Sequence, residues 1–134
     1  MGQSLSADRD NRFDRYISNL LDLKGTSYWK LNCSQYITRA KGFRSCKAPQ
    51  FFADGCDGAL ALVEERQSLR DIRTADLKAG DVLAFNGVHV AAYVGGGEFM
   101  DSDTNHGGVG KMTPYAIPND PFFTGPVKVL RWKR

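Results

Sequence analysis

Cys33 directly follows Asn32, a good helix N-cap, and precedes Ser34, while Tyr36, Ile37 and Ala40 recur as one apolar helix face. A cysteine in the first turn of a helix has a chemical use. The unpaired N–H groups and the dipole at a helix N-terminus stabilise negative charge. Thiols so placed beside an imidazolium ionise with a pKa of about 3.5–7.5 instead of about 8.5. The plain alternative is a small hydrophobe packed inside a helix. His89 changes the weighing, because it supplies the base that a thiol nucleophile needs. It is one of two histidines in the chain and stands in Val88–Val94, a β-type run that is otherwise apolar. By the two-residue period of a strand it shares a face with Ala91 and Tyr93, opposite Val88, Val90, Ala92 and Val94. With both faces apolar, the strand reads as central and the imidazole as enclosed, so the ring needs hydrogen-bond partners.

The glycines Gly95-Gly96-Gly97 turn this strand into a hairpin with Glu98–Ser102. A three-residue loop of Val94, Gly95 and Gly96 sets His89 directly opposite Asp101, with Cβ atoms about 4.5–5.5 Å apart. A two-residue loop shifts the register by one and sets Ser102 there instead. Asp103 and His106 are further candidates for the same role. A carboxylate beside His89 accepts the proton of one ring nitrogen and leaves the other facing Cys33, which is the orienting role in a Cys-His-acid arrangement.

The remaining cysteines are Cys46 and Cys56, ten positions apart around a Pro/Gly-containing stretch. An odd cysteine count suits one pair and one working thiol. A Cys46–Cys56 disulfide would add about 3 kcal/mol and imply an oxidising compartment. Two free thiols are the equal alternative. No CxxC is present and both histidines are remote from the cysteines, so no metal site is expected, nor any cofactor.

These residues need particular elements to hold them. Arg12–Leu23 is expected to form a first helix, with Phe13, Tyr16, Ile17, Leu20 and Leu21 on its apolar face and Gly25 as its stop. A second helix is expected from Cys33 to Gly42. Residues Ala48–Glu65 read as helical in pieces, broken at Asp54-Gly55. Asp81–Asn86, Val88–Val94, Glu98–Ser102 and Val127–Trp132 read as strands, with Asn86-Gly87 as a tight turn. Helices first and an antiparallel meander afterwards make an α+β domain. Gly107-Gly108 reads as a flexible turn that could flank a substrate. Phe51, Phe52, Phe122 and Phe123 read as core or lid residues.

The chain of 134 residues suits one domain, and 42% hydrophobic with 25% charged residues is ordinary for a folded protein. The net charge of +3 favours approach to an anionic polymer but is far below a nucleic-acid-binding signature, and no such motif is present. The longest apolar runs, such as Ala59–Val63, are too short to span a membrane. Met1–Asn11 is polar, with no apolar signal-peptide core.

Three blocks carry a family resemblance. Asn32-Cys33-Ser34-Gln35-Tyr36-Ile37 resembles the nucleophile motif of NlpC-type cell-wall hydrolases. Asp76-Leu77-Lys78-Ala79-Gly80-Asp81-Val82-Leu83-Ala84-Phe85 is similar to the family's following loop and strand. His89-Val90-Ala91-Ala92-Tyr93-Val94-Gly95-Gly96-Gly97-Glu98-Phe99-Met100-Asp101 resembles its histidine hairpin. The resemblance runs from about Gly25 to Asp103 and places Asp101 at the family's third catalytic position. Several positions depart from the pattern: Asn32 replaces a common Asp, Gln35 a common Gly, Ala79 a common Pro, and Asp101 a more common His.

The resemblance implies a papain-like NlpC-type domain spanning 1–134, with N-terminal helices packed on a small antiparallel sheet. It implies a cysteine peptidase or amidase acting on amide bonds of peptidoglycan or its peptide fragments, in the periplasm or outside the cell. Cys33, His89 and Asp101 would be catalytic. Tyr28, Asn32 and Ser34 would be substrate-binding or oxyanion candidates, with the Cys33 N–H in the oxyanion hole. Two other readings share these residues. One is an antibacterial amidase toxin delivered by type VI secretion, which would have an immunity protein as partner. The other is a peptide- or glycan-binding module with no turnover.

Overall fold

The computed structural model describes residues 13–112 and 125–133. Arg12 and the polar Met1–Asn11 stretch lie outside the described residues, as do Phe122 and Phe123. Among the described residues the fold is α+β: three α-helices and one six-stranded antiparallel sheet.

Helix α1 covers residues 13–22 and is held by the apolar face read from its sequence. Tyr16 and Leu20 are buried, whereas Leu21 is half in water. Helix α2 is Cys33–Lys41. Asn32 caps it by accepting from the Gln35 N–H, and the Gln35 side chain accepts from the Asn32 N–H, closing a capping box. Gly42 ends the helix at φ 73°, as expected. Helix α3, Ala48–Gly58, is regular only through its first half. It leaves helical geometry from Asp54, with Gly55, Cys56 and Asp57 all at positive φ.

The strands are β1 (Leu60–Arg66), β2 (Val82–Phe85), β3 (His89–Gly95), β4 (Glu98–Asp103), β5 (Gly108–Met112) and β6 (Val127–Trp132). Their order in the sheet is β1-β6-β2-β3-β4-β5, which makes β3 an interior strand. Two of them correct the sequence reading. Leu60–Glu65 was expected to be helical and is instead an edge strand paired along its length with β6. Its Leu, Ala, Glu and Arg content favours helix, and as an edge strand it leaves Leu62 and Val63 in water, so no alternation shows. Of Gly107-Gly108, read as a flexible turn, Gly107 does end a turn, but Gly108 already belongs to β5, whose glycines hide the strand signal.

Both faces of the sheet are covered. On one, Val82, Ala84, Val90, Ala92, Met100 and Leu130 pack with α1, α2 and α3. On the other, Leu83, Phe85, Ala91, Tyr93, Phe99 and Val129 pack under Leu69, Ile72 and Leu77 from the β1–β2 connection. Phe51 is fully buried beside Trp132, and Phe52 packs at the margin of the helix-side core. Asp81, buried just before β2, accepts two hydrogen bonds from Arg131 on β6, both at 2.8 Å. Cys46 and Cys56 form a disulfide with Cα atoms 6.1 Å apart, which ties the approach of α3 to its left-handed end. No helix among the described residues is long and apolar enough to cross a membrane.

Candidate active site

The nucleophile candidate is positioned by its cap and by a strap. Because Asn32 closes the capping box, α2 begins at Cys33, and the Cys33 and Ser34 N–H groups have no partner within the helix. The preceding connector, residues 25–31, is pinned to the far side of the sheet. Gly25 donates to Val109 O at 2.9 Å, Val109 to Thr26 O at 2.9 Å, and Tyr28 to Gly107 O at 3.1 Å. Gly108 lies so close to this connector that a Cβ there would collide with the Thr26 carbonyl oxygen. Ser102 on β4 completes the strap by donating its hydroxyl to the Leu31 carbonyl.

His89 begins β3 and is buried. Its ring stacks on Phe85, its cross-strand neighbour, with centroids 6.0 Å apart. This puts His89 on the strand face expected for it, with Ala91 and Tyr93. Its Nε2 lies 2.7 Å from Oδ2 of Asp101, a carboxylate with no exposed surface. Cys33, at the start of α2, lies near enough for its thiol to act on the His89 imidazole. Since Asp101 occupies Nε2, Nδ1 is the nitrogen left for the thiol. Burial pulls the imidazole pKa down, yet the hydrogen bonds and negative charges of Asp101 and Cys33 outweigh it and push the value up to about 9.

Neither register expected from the sequence occurs. The β3–β4 turn is Gly96-Gly97, both at positive φ, and Ala92 pairs with Met100, with a bulge between Tyr93 and Gly95. Continuing that register sets Asp101 across from Ala91, so the carboxylate reaches His89 along the diagonal. Diagonal neighbours on one face lie within reach of long side chains. Ser102 points the other way, to Leu31, and does not face His89.

Tyr28 lies near enough to Cys33 and Asp103 for their charges to act on its phenol. Its pKa is raised, first by burial and then by those two groups. Asn32 and Ser34 are spent locally: Ser34 is buried and donates its hydroxyl to the Asn32 side chain at 3.2 Å. Their side chains therefore shape the helix start, and only the backbone N–H groups point to an oxyanion role. Asp103 caps a short 3-10 turn, Thr104–His106, by accepting from the Asn105 N–H at 2.8 Å. His106 returns from that turn to place Nε2 2.8 Å from Oδ1 of Asp101.

Among the described residues, His89, Asp101 and Asp103 present potential metal ligands within 4.8 Å of one another. Two of those groups are already hydrogen-bonded to each other, and Asp103 accepts from its own turn. Gly110, which the sequence did not single out, borders the site, and Ser102 and Gly108, singled out for other roles, help to position it. Ser102, Gly108 and Gly110 have short or absent side chains whose value lies in what they approach, which no local pattern records.

Chemically, the arrangement is a thiol at a helix N-terminus, an imidazole beside it, and a buried carboxylate that fixes the imidazole. It can attack an acyl carbon and protonate a leaving group. No protein-family model matches the chain, and no curated protein matches it.

Proposed function

We propose that this chain is a cysteine hydrolase that cleaves amide bonds in peptidoglycan peptides, as an endopeptidase or amidase of the papain-like NlpC type. The observation that carries the reading is the buried His89, held by Asp101 through Nε2 and near enough to Cys33, at the start of α2, for the thiol to act on its ring. The three motif blocks around Cys33, Val82–Phe85 and His89–Asp101, in that order, support the family. The Cys46–Cys56 disulfide suits an oxidising compartment, the periplasm or the exterior, where such a substrate is found. A net charge of +3 suits an anionic wall polymer.

In this reaction the Cys33 sulfur, having passed its proton to His89, attacks the amide carbonyl carbon. The developing oxyanion is met by backbone N–H groups at the start of α2, each worth about 2.7–4 kcal/mol in such sites. His89 gives its proton to the leaving nitrogen as the C–N bond breaks, leaving a thioester on Cys33. Water then attacks that thioester with His89 as base, releasing the acid and restoring the thiol. Asp101 holds the ring throughout and does not change protonation state. No step requires a cofactor.

The test is mass spectrometry of peptidoglycan fragments incubated with wild type and with Cys33→Ala. New fragments from wild type alone support the reading and name the bond by the mass change. No cleavage by folded wild type counts against it and favours a module that binds without turnover.

A further inference from the structure

We propose that His106 is a positioning residue that acts on Cys33 and His89 through Asp101, an inference that rests on the Cys33–His89 reading above. Asp101 is fully buried, and each of its carboxylate oxygens meets one imidazole: Oδ2 meets His89 Nε2 at 2.7 Å, and Oδ1 meets His106 Nε2 at 2.8 Å. An ionised carboxylate only accepts hydrogen bonds, so both nitrogens must carry hydrogen. With both oxygens held, the carboxylate cannot rotate, and Oδ2 stays aimed at His89.

The seat of His106 is constructed, not incidental. The residue closes the 3-10 turn Thr104–His106, which Asp103 caps and Gly107 ends, and Gly107 in turn accepts from Tyr28 in the strap before the nucleophile. Opposite Asp101 on β5 stands Gly110, where a Cβ would lie only 3.1 Å from His106 Nδ1. The glycine leaves the room the ring occupies. The charged and titratable groups around this relay are Cys33 and Tyr36 from α2, His89 from β3, Asp101 and Asp103 from β4, and Tyr28 from the connector. The His106 side chain is about a third exposed, so its replacement does not open the core.

The experiment needs no substrate. The rate of iodoacetamide alkylation of Cys33 is followed from pH 5 to 10 in wild type, His89→Ala, His106→Leu and His106→Gln, with thermal melts to show folding. His106→Leu is expected to slow alkylation at pH 6 about tenfold, the worth of one hydrogen bond to a charged group, and to move the upper inflection of the profile downward. His106→Gln, whose amide reaches the same place as a donor, is expected to restore the rate to within about twofold. The inference is overturned if His89→Ala slows alkylation and His106→Leu does not, or if folded His106→Gln is as slow as His106→Leu. Should His89→Ala itself match wild type, the Cys33–His89 reading falls first and takes this inference with it.

Discussion

Ser102 of β4 donates its buried hydroxyl to the carbonyl oxygen of Leu31, two residues before Cys33. The bond ties the start of α2, which carries Cys33, to the strand that carries Asp101, so the two halves of the candidate site share one mechanical link. Ser102→Ala leaves the Leu31 carbonyl without this donor. The expected cost is about 1–2 kcal/mol, read as a lower urea midpoint, together with slower alkylation of Cys33. An unchanged midpoint and rate would show that the link holds nothing.

The pH dependence follows from His89. Its pKa rises from 6.5 to about 9 on folding, so the folded state binds the proton more tightly than the unfolded state. The stability this contributes is complete below about pH 6.5 and is lost as pH rises through about 9. Melting temperature is therefore expected to fall across that window in wild type. In His89→Asn the fall should be smaller, and equal slopes in both proteins would contradict the assignment.

Gly108 sits where a side chain would enter the backbone of residues 26–28. Gly108→Ala is expected to push the connector off β5, costing more than about 2 kcal/mol by the scale for overpacked sites. Amide exchange should then speed up at Tyr28 and Val109, whose N–H groups bond across that contact. Retained protection at both would mean that the strap tolerates the methyl group.

Removing the disulfide tests how far α3 depends on it. The Cys46→Ala/Cys56→Ala double variant is expected to lose about 3 kcal/mol, from the chain entropy of a loop with a sequence separation of 10. Denaturant unfolding measures this directly. Cys33 reactivity should persist in the folded variant, because the disulfide lies outside the site.

Chelation provides the last check. With His89 and Asp101 bonded to each other, EDTA is expected to leave alkylation of Cys33 and any fragment cleavage unchanged. Loss of either, restored by added zinc, would instead make the His89–Asp101–Asp103 group a metal centre.

The residues proposed to do the chemistry were legible because each sits inside a local pattern. Asn32 before Cys33, the apolar spacing of Tyr36, Ile37 and Ala40, and Gly42 together specify a capped helix with a thiol at its start, and the structure forms it. An imidazole in an apolar run specifies an enclosed ring, and Asn86-Gly87 specifies the turn before it. What the tertiary structure alone decided concerns partners distant in sequence or hidden by small residues. Leu60–Arg66 is a strand because β6, more than 60 residues later, pairs with it and outweighs its helical propensity. The β3–β4 register turned on where the bulge fell, which three consecutive glycines cannot encode, so Asp101 meets His89 diagonally and not face to face. His106 joined Asp101 because β5 brings Gly110 alongside, and the absence of a side chain leaves no mark in a sequence until its neighbour is known.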